Sequence, residues 1–153
     1  MPKEMRKPMV FVFVLYSSHG QWIGVDNATY MCGKVEDMLP LALKQLSPDE
    51  DVVAILDPPR AGVHNKVIQA IRECEKLSHV VYIACDANKA VKNFLGLCRP
   101  TSNQYKGMPF RPARAVPVDL FPHTVHCELL VEFRRIPSED TTHVVADSDR
   151  QET

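Results

Sequence analysis

Several features are scarce in this chain of 153 residues, and each scarcity removes a class of function. There is no Cys-x-x-Cys pair. Cys32, Cys74, Cys85, Cys98 and Cys127 form an odd, widely spaced set, which argues against a disulfide framework and a zinc knuckle and for a reducing compartment. No charge of one sign dominates: 18 basic residues against 19 acidic ones give no global field for nucleic acid, so such binding must come from a local patch. No apolar run reaches the roughly 20 residues of a membrane span, and no membrane partner is expected. Lys3, Arg6 and Lys7 before "MVFVFVLY" outline a short secretory signal, but the apolar core is short and Glu4 interrupts the basic region. A buried or edge strand is the better reading there. No internal repeat is found.

What is present suffices for one domain. A hydrophobic content of 45% in a chain of this length supports one core and is too little for two comfortable ones. A local basic patch exists: from Asp86 to Arg114 the acid is Asp86 alone, against Lys89, Lys92, Arg99, Lys106, Arg111 and Arg114. Residues 137–153 carry Glu139, Asp140, Asp147, Asp149 and Glu152 with few large apolar residues, and are expected to be a disordered acidic tail.

Val35, Leu39, Ala42, Leu43 and Leu46 recur at helical spacing, with Glu36 and Asp37 in the first turn. Pro40 is tolerable in that helix only near its first turn. "VVAIL" follows as a continuous apolar run, the pattern of a parallel strand covered on both faces, and it stops at Asp57-Pro58-Pro59. Val67, Ile71, Cys74 and Leu77 predict a second helix, with Asn65 as its cap, and "HVVYIAC" a second strand ending on Cys85. Ala87, Val91, Phe94 (or Leu95) and Cys98 predict a third helix, with Lys89, Lys92 and Arg99 opposite. "ARAVPVDL" and "HCELLVEF" read as closing strands joined by a short, hence antiparallel, connection. Strand, helix, strand, helix at this spacing means an α/β fold with a parallel sheet, here finished by a C-terminal antiparallel hairpin.

In open α/β sheets ligands bind beyond the carboxyl ends of parallel strands, so Asp57 and Cys85 should share one rim. The hairpin turn brings Asp119 and Glu128 to that rim as well. Cys85 precedes a helix N-terminus, where the dipole favours a nucleophilic thiolate. Each residue also has a plainer reading: Asp57 as a turn former, Cys85 as core filler, Glu128 as an acid at a wet strand mouth. His123, His126 and Cys127 crowd into one turn with no second ligand pair elsewhere, which disfavours a metal site. A Cys85–His126 hydrolase pair lacks any local signature.

Three stretches together, "ILDPPRAG" (Ile55–Gly62), "YIAC" (Tyr82–Cys85) and "VDLFPHTVHCELL" (Val118–Leu130), resemble the RNA uracil-C5 methyltransferase family in order and spacing. The resemblance runs from about Val25 to Ile136, and "CGKVEDMLP" and "KGMPFRPARAVPVDLFP" share it. It implies a partial Rossmann-like (class I) methyltransferase sheet, with residues 25–136 as the C-terminal part of an S-adenosyl-L-methionine-dependent domain and residues 1–24 outside the family pattern. It further implies Asp57 as a contact to S-adenosylmethionine, Cys85 as the nucleophile and Glu128 as the proton acceptor. The partner would be tRNA or another structured RNA, without a metal, in the cytoplasm or nucleus. Two points depart from the family. Asp86-Ala87 follows Cys85 where the family has Asn-Pro, and no Gly-x-Gly loop for the cofactor occurs among the 6 glycines. The resemblance therefore implies a truncated chain with an incomplete donor site and weak or no activity of its own. The alternative is a non-catalytic RNA-binding or interaction fragment using Lys89 to Arg114.

Overall fold

The computed structural model describes residues 9–13, 31, 33–46 and 52–137. The rest of the N-terminal segment, Cys32 and the acidic stretch 138–153 lie outside the described residues. In chain order the elements are β1 (Met9–Phe13), α1 (Val35–Lys44), β2 (Val52–Leu56), α2 (Asn65–Glu73), β3 (Leu77–Ala84), α3 (Ala87–Cys98), β4 (Phe110–Val118) and β5 (Glu128–Arg135). They build an α/β fold around one five-stranded mixed sheet of order β1-β2-β3-β5-β4. β1, β2 and β3 are parallel, and β5 runs antiparallel to both β3 and β4. β1 occupies the free edge of β2, from Met9 opposite Val52 to Phe13 opposite Leu56. An apolar segment there closes an edge that would otherwise offer unpaired N–H and C=O groups.

The helices share one core with one face of the sheet. Leu39 of α1, Ile68 and Ile71 of α2 and Leu97 of α3 are fully buried together with Val80, Tyr82 and Phe133 of the strands. Each such side chain contributes roughly 1.5–3 kcal/mol by leaving water. On β2 the buried positions alternate: Val52, Ala54 and Leu56 join the core, whereas Val53 and Ile55 are only half-buried. This corrects the expectation that "VVAIL" is covered on both faces. An apolar run permits two-sided cover without requiring it, and the core that includes all three helices draws on one set of alternate strand positions.

Local differences have similar physical causes. Pro40 falls in the second turn of α1, not near the first, and sits on its exposed side. It forgoes the N–H that would reach the Glu36 carbonyl, at a position where water can serve that carbonyl instead. Helix α2 is capped by His64, whose ring nitrogen accepts from the Lys66 N–H at 3.2 Å, while Asn65 is its first helical residue. The buried stripe of α3 is Ala90, Asn93, Gly96 and Leu97, leaving Val91 and Leu95 about half exposed. Apolar content misplaces that face because a polar residue, Asn93, belongs to it.

Two arginines join the layers. Arg72, fully buried in α2, donates to the carbonyls of Gly96 (3.1 Å), Leu97 (3.3 Å) and Arg99 (2.8 Å) at the end of α3, and to Gly107 (2.8 Å). Arg135 of β5 serves the end of α2 in the same way, donating to Ile71 (2.9 Å), Arg72 (3.0 Å) and Cys74 (2.8 Å), and also to Leu77 (2.7 Å) and Met108 (2.9 Å). Its guanidinium lies 4.3 Å from the Phe110 ring centroid. A helix C-terminus exposes unpaired carbonyls and the negative end of the dipole, so a cation with several donors meets both needs. Burial lowers the pKa of both guanidinium groups, yet carbonyl partners take the place of water. Gly107, at φ 70°, is held to glycine because a Cβ there would collide with the Arg72 carbonyl. Replacing Arg72→Met keeps most of the volume but strands those carbonyls, and should cost about 2–4 kcal/mol of stability in urea unfolding.

Candidate active site

The carboxyl ends of β2 and β3 and the start of β5 meet at one rim. In the β3–β5 ladder the last pair is Ala84 with Leu129, so Cys85 and Glu128 each lie one residue beyond it, at the same end of the two strands. On its other side Glu128 is paired with Val118 of β4. Leu56 is level with Tyr82 in the neighbouring parallel strand, so Asp57, the next residue, follows at the same end of the sheet. The fold thus brings Asp57, Cys85 and Glu128 to one edge from three strands. Asp119 is exposed in the β4–β5 connection, where its Oδ1 accepts from the Phe121 N–H at 3.1 Å.

Burial separates the three. Asp57 is exposed, Cys85 half-buried, and Glu128 only 8% exposed. Arg72, Asn93 and Glu128 are the buried polar side chains among the described residues. The first two engage carbonyls and amides, whereas the Glu128 carboxyl has no hydrogen-bond or ion-pair partner among the described residues. Its carboxyl oxygens are not shut off from water: among the described residues, the fully buried side-chain polar atom left without a partner is Arg72 Nε. Neighbouring residues thus cover most of Glu128 while its carboxyl still opens to the rim.

A polar clamp holds the "DPPRAG" loop against the end of β3. Asn93 of α3 donates to the Val63 carbonyl (3.0 Å), and its Oδ1 accepts from the Val63 N–H (3.0 Å) and the Tyr82 hydroxyl (2.9 Å). Gly62, at φ 77°, passes so close that a Cβ would strike Asn93 Oδ1. The Tyr82 ring packs edge-on against Phe94 at 5.1 Å. Between loop and strand end lies a cavity of about 10 Å³, lined by Pro58, Arg60, Gly62, Tyr82 and Cys85 among others. That volume suits about one water and excludes a nucleobase.

Asp86, the residue that departs from the family pattern, has a structural task. It is the N-cap of α3: its Oδ1 accepts from the Lys89 N–H at 3.2 Å and its Oδ2 pairs with Lys89 Nζ at 3.2 Å. The hydrogen bonds from Lys89 hold its carboxyl below the ordinary aspartate range. Cys85 thus stands at the entrance of a capped helix. Lys92, Arg99, Lys106, Arg111 and Arg114 are exposed, so the basic stretch is a solvent-facing patch. His123, His126 and Cys127 are exposed in the hairpin connection, and among the described residues no three His, Cys, Asp or Glu side chains group as metal ligands. No helix among the described residues is long and apolar enough to cross a membrane.

Asn93 and Tyr82, which fix the rim, are not evident from chemical type alone. For Asn93 a signal exists: it lies three residues after Ala90 and four before Leu97, in phase with the buried stripe.

The chain is also similar over most of its length to known proteins. Over 121 residues, 79% of this chain, it is 47% identical to the human tRNA (uracil-5-)-methyltransferase homolog A. It is 42% identical over 115 residues to the mouse tRNA (uracil-5-)-methyltransferase homolog B and 41% over 114 residues to that of Danio rerio. The chain belongs to the RNA uracil-C5 methyltransferase family. It spans 19% of the human homolog A and 23% of the mouse homolog B, about a fifth of these relatives. No family model matches it.

Burial raises the Tyr82 hydroxyl from 10.0 to about 12, so the folded chain keeps this proton where the unfolded chain has lost it. The sign follows: this contribution to stability is complete below the unfolded value near 10, and falls as pH rises through the interval up to about 12. In Tyr82→Phe the loss over that alkaline window should be shallower than in the parent, as measured by urea midpoints at stepped pH.

Proposed function

We propose that this chain carries the covalent-catalysis part of a tRNA uracil-C5 methyltransferase site. The observation that carries the reading is the strand register, which brings half-buried Cys85 and the largely covered Glu128, whose carboxyl has no side-chain partner among the described residues, to adjoining strand ends at one rim. C5 of uracil is a poor nucleophile. The Cys85 sulfur adds to C6, the C5–C6 double bond becomes an enolate, and C5 acquires the electron density needed to accept a methyl group. Glu128 then takes the proton from C5, and the returning electron pair expels the Cys85 sulfur from C6, restoring the double bond. S-adenosylmethionine, when bound, supplies the methyl group from its sulfonium. Asp57, exposed at the same rim, offers a carboxylate suited to the hydroxyl or amino groups of that donor. The fit is partial, because the cavity beside Cys85 admits about one water and the remaining donor contacts must come from outside the described residues.

The relatives are named for tRNA, which we take as the substrate class here, and a stacked uridine must leave its helix to reach Cys85. The exposed cations Lys92, Arg99, Arg111 and Arg114 would take phosphates, fixing position rather than sequence.

A tRNA carrying 5-fluorouridine, incubated with S-adenosylmethionine, tests the reading directly, since fluorine at C5 leaves no proton for Glu128 to remove. The parent chain should give a covalent protein–RNA band and Cys85→Ala none. Glu128→Gln should accumulate the band on ordinary uridine. Retention of the RNA without any adduct in parent or Glu128→Gln would leave RNA binding without catalysis as the function.

A further inference from the structure

The connection between β4 and β5 is apolar where a solvent-exposed turn is expected to be polar. Six large hydrophobic residues are prominently exposed among the described residues, and three of them, Leu120 (62%), Phe121 (46%) and Val125 (97%), lie in this one tip. The tip is not loosely built. Asp119 Oδ1 accepts from the Phe121 N–H at 3.1 Å, the Phe121 carbonyl accepts from Thr124 Oγ1 at 2.8 Å and from the Thr124 N–H at 3.2 Å, and Thr124 Oγ1 accepts from the His126 N–H at 3.2 Å. Both backbone groups of Phe121 are thus held. His123 adopts φ 67°, a conformation rare outside glycine, to complete the turn. These bonds fix the backbone from which the half-exposed Phe121 side chain projects.

We propose that this tip is the wedge that enters the RNA base stack, with Phe121 filling the gap left when the target uridine swings out toward Cys85. This rests on the RNA-methylating function proposed above. Its position supports it, because the tip runs into Glu128 at the start of β5, at the same end of the sheet as Cys85. Charge supports it as well: Arg114 and, further from the tip, Arg111 are exposed along β4, the strand that leads into it, where they would hold phosphates of the RNA that runs on from the entry point. Apolar and aromatic side chains inserted between bases offset lost stacking, and each stacked base contributes enough to change affinity severalfold. The occupant is the stacked loop of a structured RNA, with Leu120 and Val125 covering the flanking base or sugar.

The test uses the full chain and a folded tRNA transcript with 4-thiouridine in place of uridine, cross-linked by light and mapped by peptide mass. Cross-links should fall on the Leu120–Val125 peptide and the Cys85 peptide. Phe121→Ala should bind the folded tRNA about tenfold more weakly with an unchanged unfolding midpoint, and Phe121→Trp should restore binding. If cross-links reach Cys85 but not the tip, or Phe121→Ala binds as the parent does, the wedge is overturned while the methyltransferase reading stands. If no RNA is retained or cross-linked anywhere, both are overturned.

Discussion

Because β5 runs antiparallel to β3, the carboxyl end of one is the amino end of the other, and residues far apart in sequence are tied together by backbone hydrogen bonds. Cys85 closes the parallel half of the sheet and Glu128 opens the antiparallel half. Each stands one residue beyond the last pair, Ala84 with Leu129, so strand register rather than flexible side chains brings them to one edge. A slip of one residue would turn Glu128 to the other face, among the helix-side positions Leu129, Val131 and Phe133. The core holds the register: Val131 and Phe133 are buried under α3, and a slip would expose them.

The remaining architecture keeps this junction still. Arg135 extends from the far end of β5 to the last turn of α2, and Arg72 extends from α2 to the last turn of α3, so each helix end is tied to the next layer. At the rim, Asn93 fastens the "DPPRAG" loop to α3 and to Tyr82, three residues before Cys85. A nucleophile must be held within a fraction of an ångström to profit from proximity, and buried polar groups bonded across layers provide that rigidity.

Much of this was legible in the sequence, for identifiable reasons. Continuous apolar runs of strand length separated by helical periodicity gave the parallel β2-α2-β3 unit, and the short connection between the last two strands gave the antiparallel hairpin. The rim followed from topology alone. Elsewhere the pattern was silent. The run Val52–Leu56 cannot report that only one of its faces joins the helix-side core. Arg72, four residues after Ile68 on the same helix face, looks like any basic residue until its carbonyl partners are seen. That Glu128 is largely covered was not legible, because burial at a sheet edge depends on both neighbouring strands, which no local window contains. Asp86 read as a departure from a motif, and its task as a helix cap became clear only with the Lys89 amide in place.

The central claim is the pairing of Cys85 with position 128, and cross-linking measures it most directly. Opposed residues in an antiparallel pair have Cα atoms about 4.5–5.5 Å apart, within the span of a disulfide. In a Glu128→Cys variant that also carries Cys127→Ser, mild oxidation should join position 128 to Cys85, identified as a linked peptide pair by mass spectrometry. A folded variant in which position 128 stays free, or joins another cysteine instead, would contradict the account.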